Sequence, residues 1–394
     1  MTKIMQGFPV APDNRVPIED WDHAPWNRWS FQHIRELLPT AEVWRGDGAA
    51  WQLPANPQDL DDLRFDDAEG NTRSLDDYFA GEFTDGLLVL HRGEIVHESY
   101  HNGMTPRSLH LSQSVAKSVT ACVTGILVGR GLLDPAARIT EYLPELDATA
   151  YRGATLRDVL NMSSGVKYVE DYEALDSHIA ATDIASGWKP PRPGHDAPAC
   201  VWDQILTLTE FEAGHGERFH YRSIETDVIA HCMERVTQTR LPELISRELW
   251  QPLGCEESAS FTVDRAGYAL ACGGLSASLR DYARVGLMLA NDGFGNDRQI
   301  VPADWVRDTW TSDNNMHDEE RKRAFPNGGY RNQFWLRDVT TKVMMARGVF
   351  GQLIYVDPDL ELVVTVLSSW PEFTSIDRTI TTLNLIDAIA EALD

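Results

Sequence analysis

Cysteine is scarce and follows no pattern. The five residues Cys122, Cys200, Cys232, Cys255 and Cys272 are odd in number, far apart in 394 positions, and contain no Cys-x-x-Cys pair. That argues against a disulfide-stapled scaffold and a thiolate zinc site, and fits reduced thiols in a reducing compartment. Positive charge is also short: 35 Lys and Arg stand against 60 Asp and Glu, for a net charge of −25. Phosphate backbones and anionic membrane surfaces are repelled by such a chain, so nucleic acid and membrane are excluded as partners. No apolar run approaches the roughly 18 residues of a membrane span, and Met1 to Arg15 lacks the apolar stretch of a signal peptide. A cytoplasmic protein is expected. Internal repeats, low-complexity tracts, a Gly-x-Ser-x-Gly elbow and a phosphate-binding Gly-rich loop are missing as well.

What is present is core-forming material. With 43% hydrophobic and 9% aromatic residues, the chain can bury a large core as one large domain or two. Residues 1–75 are rich in Pro, Asp and Trp, with one short helical stretch around Phe31 to Leu38, and read as an arm laid over a core built later. Gly86 to Tyr100 reads as strand, tight turn at His91-Arg92-Gly93-Glu94, strand. From Ser114 the period changes, because Val115, Val119, Cys122, Val123, Ile126 and Leu127 recur every three or four residues up to Gly131, the signature of an amphipathic helix.

Helical pieces follow at Thr155 to Met162, Ile224 to Thr237 and Leu241 to Trp250, broken by a Pro/Gly/Asp-rich stretch from Gly187 to Ala199. After a helical stretch at Arg280 to Asn291, strand-like runs return at Gln333 to Leu336, Lys342 to Met345, Gln352 to Val356 and Leu360 to Leu367. Ile376 to Leu393 closes the chain as a helix. This order predicts a discontinuous α/β (α+β) domain over 76–131 and 273–394, interrupted by a mostly helical domain over 132–272.

Two motifs bear chemistry. His97-Glu98-Ser99-Tyr100-His101 satisfies the His-Glu-x-x-His pattern of zinc peptidases, which requires a helix to bring both imidazoles to one metal. On the strand expected here, the two positions lie about 13 Å apart at about 3.3 Å per residue. The reading therefore assigns no metal and no cofactor, and keeps a zinc peptidase through His97 and His101 as the different-class alternative.

Ser-x-x-Lys, the nucleophile motif of penicillin-recognising serine hydrolases, occurs at three of the six lysines: Ser114/Lys117, Ser164/Lys167 and Ser186/Lys189. Only the first opens a helix, where positions i and i+3 face each other and the N-terminal field favours a developing oxyanion. Ser114 is thus the candidate nucleophile. Lys117 is its candidate base, with a pKa expected to be lowered by apolar surroundings. Tyr221, in the extended Tyr221-Arg222-Ser223 before a helix, is placed to relay a proton.

Taken in order, Ser114-Val-Ala-Lys117, Thr155-Leu-Arg-Asp-Val-Leu-Asn-Met-Ser-Ser-Gly165, Tyr221-Arg-Ser223 and Gly273-Gly274-Leu-Ser276 resemble the class C β-lactamase and penicillin-binding-protein family. Within it the chain is most similar to the 6-aminohexanoate-dimer (nylon-oligomer) hydrolases. The similarity is carried by Asn27-Arg28-Trp29, Glu170-Asp171-Tyr172, Ser186-Gly187-Trp188, Thr226-Asp227, Gly351-Gln352 and Leu367-Ser-Ser-Trp-Pro371.

The resemblance implies a β-lactamase/transpeptidase-like antiparallel sheet flanked by helices. It implies an oxyanion hole from the backbone N–H groups of Ser114 and Val349, and substrate contacts from Tyr172, Asp183, Trp188 and Cys272. It also implies a homodimer acting on a small amide or ester. Two departures argue against β-lactamase activity: Ala346-Arg347-Gly348 replaces Lys-Thr-Gly, and Ser223 replaces the Asn of Tyr-x-Asn. Cys272 stands where some nylon hydrolases carry Asn or His. A carboxylesterase with the same machinery and a non-catalytic binding protein of the same fold are the remaining alternatives.

Overall fold

The structure, a computed structural model, describes residues 3–193, 197–313, 315, 316 and 318–393. Residues 194–196, within the loop expected over Gly187–Ala199, and the first two residues lie outside the described set. Its centre is a seven-stranded antiparallel sheet made of β1 (Thr84–His91), β2 (Glu94–Tyr100), β3 (Gly329–Arg331), β4 (Phe334–Leu336), β5 (Met344–Gly348), β6 (Gln352–Asp357) and β7 (Leu362–Ser368). The spatial order is β3-β4-β5-β6-β7-β1-β2, so the N-terminal hairpin is sewn onto the C-terminal strands through β7 and β1.

Five helices matter to the site: α1 (Val115–Gly129), α2 (His178–Ala185), α3 (Ile224–Thr237), α4 (Leu279–Ala290) and α5 (Ile376–Leu393). Both faces of the sheet are covered. In β1, Leu88 and Leu90 join the cluster holding Leu279, Tyr282 and Val285 of α4, while Leu87 and Val89 join the one holding Leu383, Leu385 and Ile386 of α5. A period of two with apolar residues at every position is what a sheet between two helical layers requires. The α4 helix lies close against the sheet because Gly286 has no Cβ. One built there would sit 2.5 Å from a Val363 methyl and 2.9 Å from an Ile354 methyl.

The periodicities place α1, α3, α4 and α5 well, whereas α2 and β3 were not expected. The expected α3 and α5 match at both ends, and α1 runs two residues short of Gly131. The arm differs from expectation. Its helical stretch is two single turns, Asn27–Ser30 and Ile34–Glu36, and it adds a strand that sequence reading missed. Thr40–Val43 pairs antiparallel with Ala259–Thr262, which pairs with Leu275–Ala277, which pairs with His110–Leu111. This four-stranded sheet anchors the chain immediately before Ser114. Among the described residues, no helix is long and apolar enough to cross a membrane.

Candidate active site

Ser114 caps the N-terminal end of α1, a helix buried through its first thirteen residues. The Nζ of Lys117, one turn on and 1% exposed, donates to Ser114 Oγ at 2.8 Å and to the Cys272 carbonyl at 2.6 Å. The other two Ser-x-x-Lys pairs are engaged elsewhere. Ser164 Oγ donates to Glu225 while Lys167 reaches Glu210 at 2.7 Å, and Ser186 Oγ donates to the Asp183 carbonyl while Lys189 pairs with Asp22.

Tyr221 completes the group. The Lys117 ammonium lies 5.2 Å from its ring centre, and Ser114 and Lys117 both stabilise its negative form. Burial nevertheless dominates and moves the Tyr221 phenol up, so it keeps its proton at neutral pH. Lys117 departs from expectation. Burial pulls its ammonium down, but the negative forms of Tyr221, Cys272 and Glu170 oppose it and the net direction is up. Each of the two groups thus favours the charge of the other.

The backbone beside the hydroxyl is strained at two points. Gln113, immediately before Ser114, has φ +50°, and Phe350, immediately after Val349, has φ +62°. Left-handed backbone at side-chain-bearing residues costs free energy and concentrates where geometry serves a function. Gly348 brings the two segments together. A Cβ on it would lie 2.5 Å from the Ser112 carbonyl oxygen and 3.0 Å from the Ser114 nitrogen.

Ser114 opens onto two cavities, which share Ser114, Tyr172, Val349 and Phe373. The smaller, about 40 Å³, is lined by Asp183, Trp188 and Cys272, so the structure gathers all four residues proposed to contact substrate around the nucleophile. Trp188 is fixed from both ends, its indole N–H donating to Thr262 Oγ1 at 2.9 Å and its carbonyl accepting from Trp21 at 2.8 Å. The Cys272 thiol is pushed well up by burial and by Asp227, and stays protonated. Asp183 on α2 has no side-chain partner among the described residues. Burial, reinforced by the negative charge of Asp22, raises its carboxyl to about 8.

Sequence reading missed one participant, Glu170. It accepts from the Tyr172 hydroxyl at 2.6 Å, from the Ser223 N–H at 2.7 Å and from Ser223 Oγ. The serine that stands where Tyr-x-Asn has its Asn is thus held by a carboxylate. The available signal was an acid two residues before Tyr172.

The second motif also needs correction. His97 is on a strand as expected, yet both imidazoles turn to one hydroxyl: His97 Nε2 lies 3.2 Å and His101 Nε2 3.3 Å from Ser99 Oγ. The two nitrogens are thus within about 6.5 Å of each other. The expected 13 Å holds for the backbone positions, not for long side chains leaning toward a shared neighbour on one strand face. Among the described residues, no group of three His, Cys, Asp or Glu could hold a metal ion.

Comparison with known proteins gives the family. Residues 80–387 match the model of the Beta-lactamase family. The chain belongs to that family. It is 36% identical over 367 residues, 93% of this chain and 91% of the relative, to the 6-aminohexanoate-dimer hydrolase of Paenarthrobacter ureafaciens. A Bacillus anthracis structure described as a 6-aminohexanoate-dimer hydrolase superposes with a TM-score of 0.87 at 28% identity, covering 97% of this chain and 98% of that one. A family VIII carboxylesterase shares the fold, with a TM-score of 0.57 at 16% identity over 79% and 95%. As a Beta-lactamase family member, the protein is a serine hydrolase with an amide hydrolase among its relatives.

Proposed function

We propose that the enzyme cleaves linear amides carrying an ammonium group on the acyl side, in the manner of 6-aminohexanoate dimers, through an acyl-enzyme on Ser114. The observation that carries this is the 2.8 Å Lys117–Ser114 hydrogen bond at a helix N-terminus where two cavities meet. Lys117 takes the Ser114 proton as Oγ bonds to the carbonyl carbon. The N–H groups of Ser114 and Val349 hold the oxyanion, and Tyr221 passes a proton to the leaving nitrogen as the C–N bond breaks. Water then bonds to the acyl carbon, giving its proton back through the same pair and releasing the acid. Tyr172, Asp183, Trp188 and Cys272 shape the acyl side, and no cofactor enters the scheme.

Asp183 is the proposed receptor for the ammonium, and the sign of its pH dependence follows. Its raised carboxyl is neutral below about pH 8 and charged above. Attraction for an ammonium therefore grows as pH rises through about 8 and fades as pH falls. The ratio of kcat/KM for a 6-aminohexanoyl ester to that for the hexanoyl ester isolates this effect, because the serine chemistry cancels. The ratio is expected to climb across pH 8 in the wild type and to be flat in Asp183→Asn. A flat wild-type ratio would remove Asp183 from this role.

The substrate reading itself is tested by assaying the linear 6-aminohexanoate dimer beside short p-nitrophenyl esters. Turnover of the dimer supports the amidase, whereas turnover of esters alone supports the carboxylesterase. A cytoplasmic setting is supported by the five buried free thiols; a homodimer rests on the resemblance.

A further inference from the structure

Asp227 is a buried acid that the catalytic scheme leaves unused. It stands in the first turn of α3, 2% exposed, and its Oδ1 accepts the Ala271 N–H at 2.8 Å. Ala271 precedes Cys272, whose carbonyl accepts from Lys117 Nζ at 2.6 Å. Both residues belong to a tight turn, closed where the Gly273 and Gly274 N–H groups return to the Leu270 carbonyl at 3.3 and 2.8 Å. One turn thus joins the carboxylate to the ammonium, with Asp227 holding one residue and Lys117 the next.

Holding the turn does not by itself require an acid. An asparagine carbonyl would accept the Ala271 N–H as well, without the cost of a buried charge. That cost is visible, because Oδ2 is buried and completes no hydrogen bond among the described residues, and burial raises the carboxyl to about 7. The Cys272 thiol and the Lys117 ammonium oppose burial and favour the negative form. Burial and then neighbouring acids, Asp227 among them, push the Cys272 thiol and the Tyr151 phenol up, so both stay protonated. Lys117 is the cation of this group. Coupling between two proton sites is reciprocal, so a carboxylate steadied by the Lys117 ammonium steadies that ammonium in return. Tyr221, Cys272 and Glu170 face Lys117 from its other sides.

We propose that Asp227 is a positioning residue for the base: its carboxylate fixes the turn that presents the Cys272 carbonyl to Lys117, and its charge stabilises the ammonium formed when Lys117 takes the Ser114 proton. A negative charge fixed in advance beside a developing positive one lowers the barrier without reorganisation. Asp227 lines neither cavity, so it acts through Lys117 and not on the substrate. The inference rests on the proposed roles of Ser114 and Lys117, whichever amide or ester is cleaved.

The pH profile of kcat/KM on p-nitrophenyl acetate, an uncharged ester, tests it between about pH 6 and pH 10. Asp227→Asn keeps an acceptor for Ala271 and removes the charge. Asp227→Ser, smaller and also neutral, makes the same comparison should the asparagine variant not fold. Without the carboxylate the Lys117 ammonium gives up its proton more readily, so the acidic limb should move down by at least about half a pH unit. The plateau should fall about tenfold to a hundredfold, and in a Lys117→Ala background the same substitution should change the residual rate by less than about twofold. An unchanged profile, a lower plateau with the limb in place, or equal losses in both backgrounds would overturn the proposal. Failure of the reading beneath it shows separately, as Lys117→Ala keeping wild-type activity while Asp227 is intact.

Discussion

Lys117→Ala is expected to fold and to lose roughly a thousandfold or more in kcat/KM on p-nitrophenyl esters, within the range for removal of a positioned general base. The argument rests on contact: its Nζ is 2.8 Å from Ser114 Oγ, the proposed nucleophile, and held by the Cys272 carbonyl at 2.6 Å. Lys117→Arg separates the base from a mere cation. An arginine keeps the charge but does not release its proton, so it should be as inactive as alanine. Because the net direction of the Lys117 pKa is upward, the proton-accepting form is scarce at pH 7 and increases with pH. The wild-type rate on an uncharged ester should accordingly rise from pH 7 to pH 9. Thermal denaturation of both variants controls for folding, and an arginine variant retaining most of the activity would contradict the assignment.

The second large effect is expected at a residue with no side chain. Gly348→Ala places a methyl 2.5 Å from the Ser112 carbonyl and 3.0 Å from the Ser114 nitrogen, so strand and turn must separate. The N–H groups of Ser114 and Val349, proposed to hold the oxyanion, are then drawn apart. Loss of one oxyanion donor costs about 10²–10³ in kcat. The same strain should lower stability by about 1–3 kcal/mol, as overpacking does. Stopped-flow or steady-state ester hydrolysis gives the first quantity and denaturant unfolding the second. A kcat unchanged within a factor of a few would show that the Val349 amide does not stabilise the transition state.

Long, strongly periodic segments were legible in the sequence, and the candidate nucleophile was chosen through them. Ser114 could be chosen over Ser164 and Ser186 because only it stands before an uninterrupted run with a period near 3.6. The hairpin and most of the C-terminal sheet were legible as short apolar runs bounded by turn residues, although the edge strand Gly329–Arg331 was not. The four-stranded sheet was not, since its strands are two to four residues long and Thr40–Val43 finds its partner at Ala259–Thr262. Pairing at such separation leaves no local trace.

The charge states at the site were only half legible. Burial of Lys117 follows from its helix, but the opposing influence of Tyr221 depends on a tyrosine about a hundred residues on. Glu170 entered only as part of the Glu170-Asp171-Tyr172 similarity and was given no role, because nothing local shows that Ser223 and Tyr172 converge on it. For His97 and His101 the strand was legible but the lean of the two imidazoles toward Ser99 was not, since backbone spacing alone does not give it.

The central claim, that Ser114 is the nucleophile of a covalent hydrolase, is tested most directly by mapping the site of an irreversible fluorophosphonate adduct. After reaction, digestion and mass spectrometry, the expected result is one phosphonyl group per chain on the peptide carrying Ser114, with ester hydrolysis lost in step and no adduct in Ser114→Ala. An adduct on another serine, or hydrolysis that persists in a fully labelled or Ser114→Ala enzyme, would contradict the account.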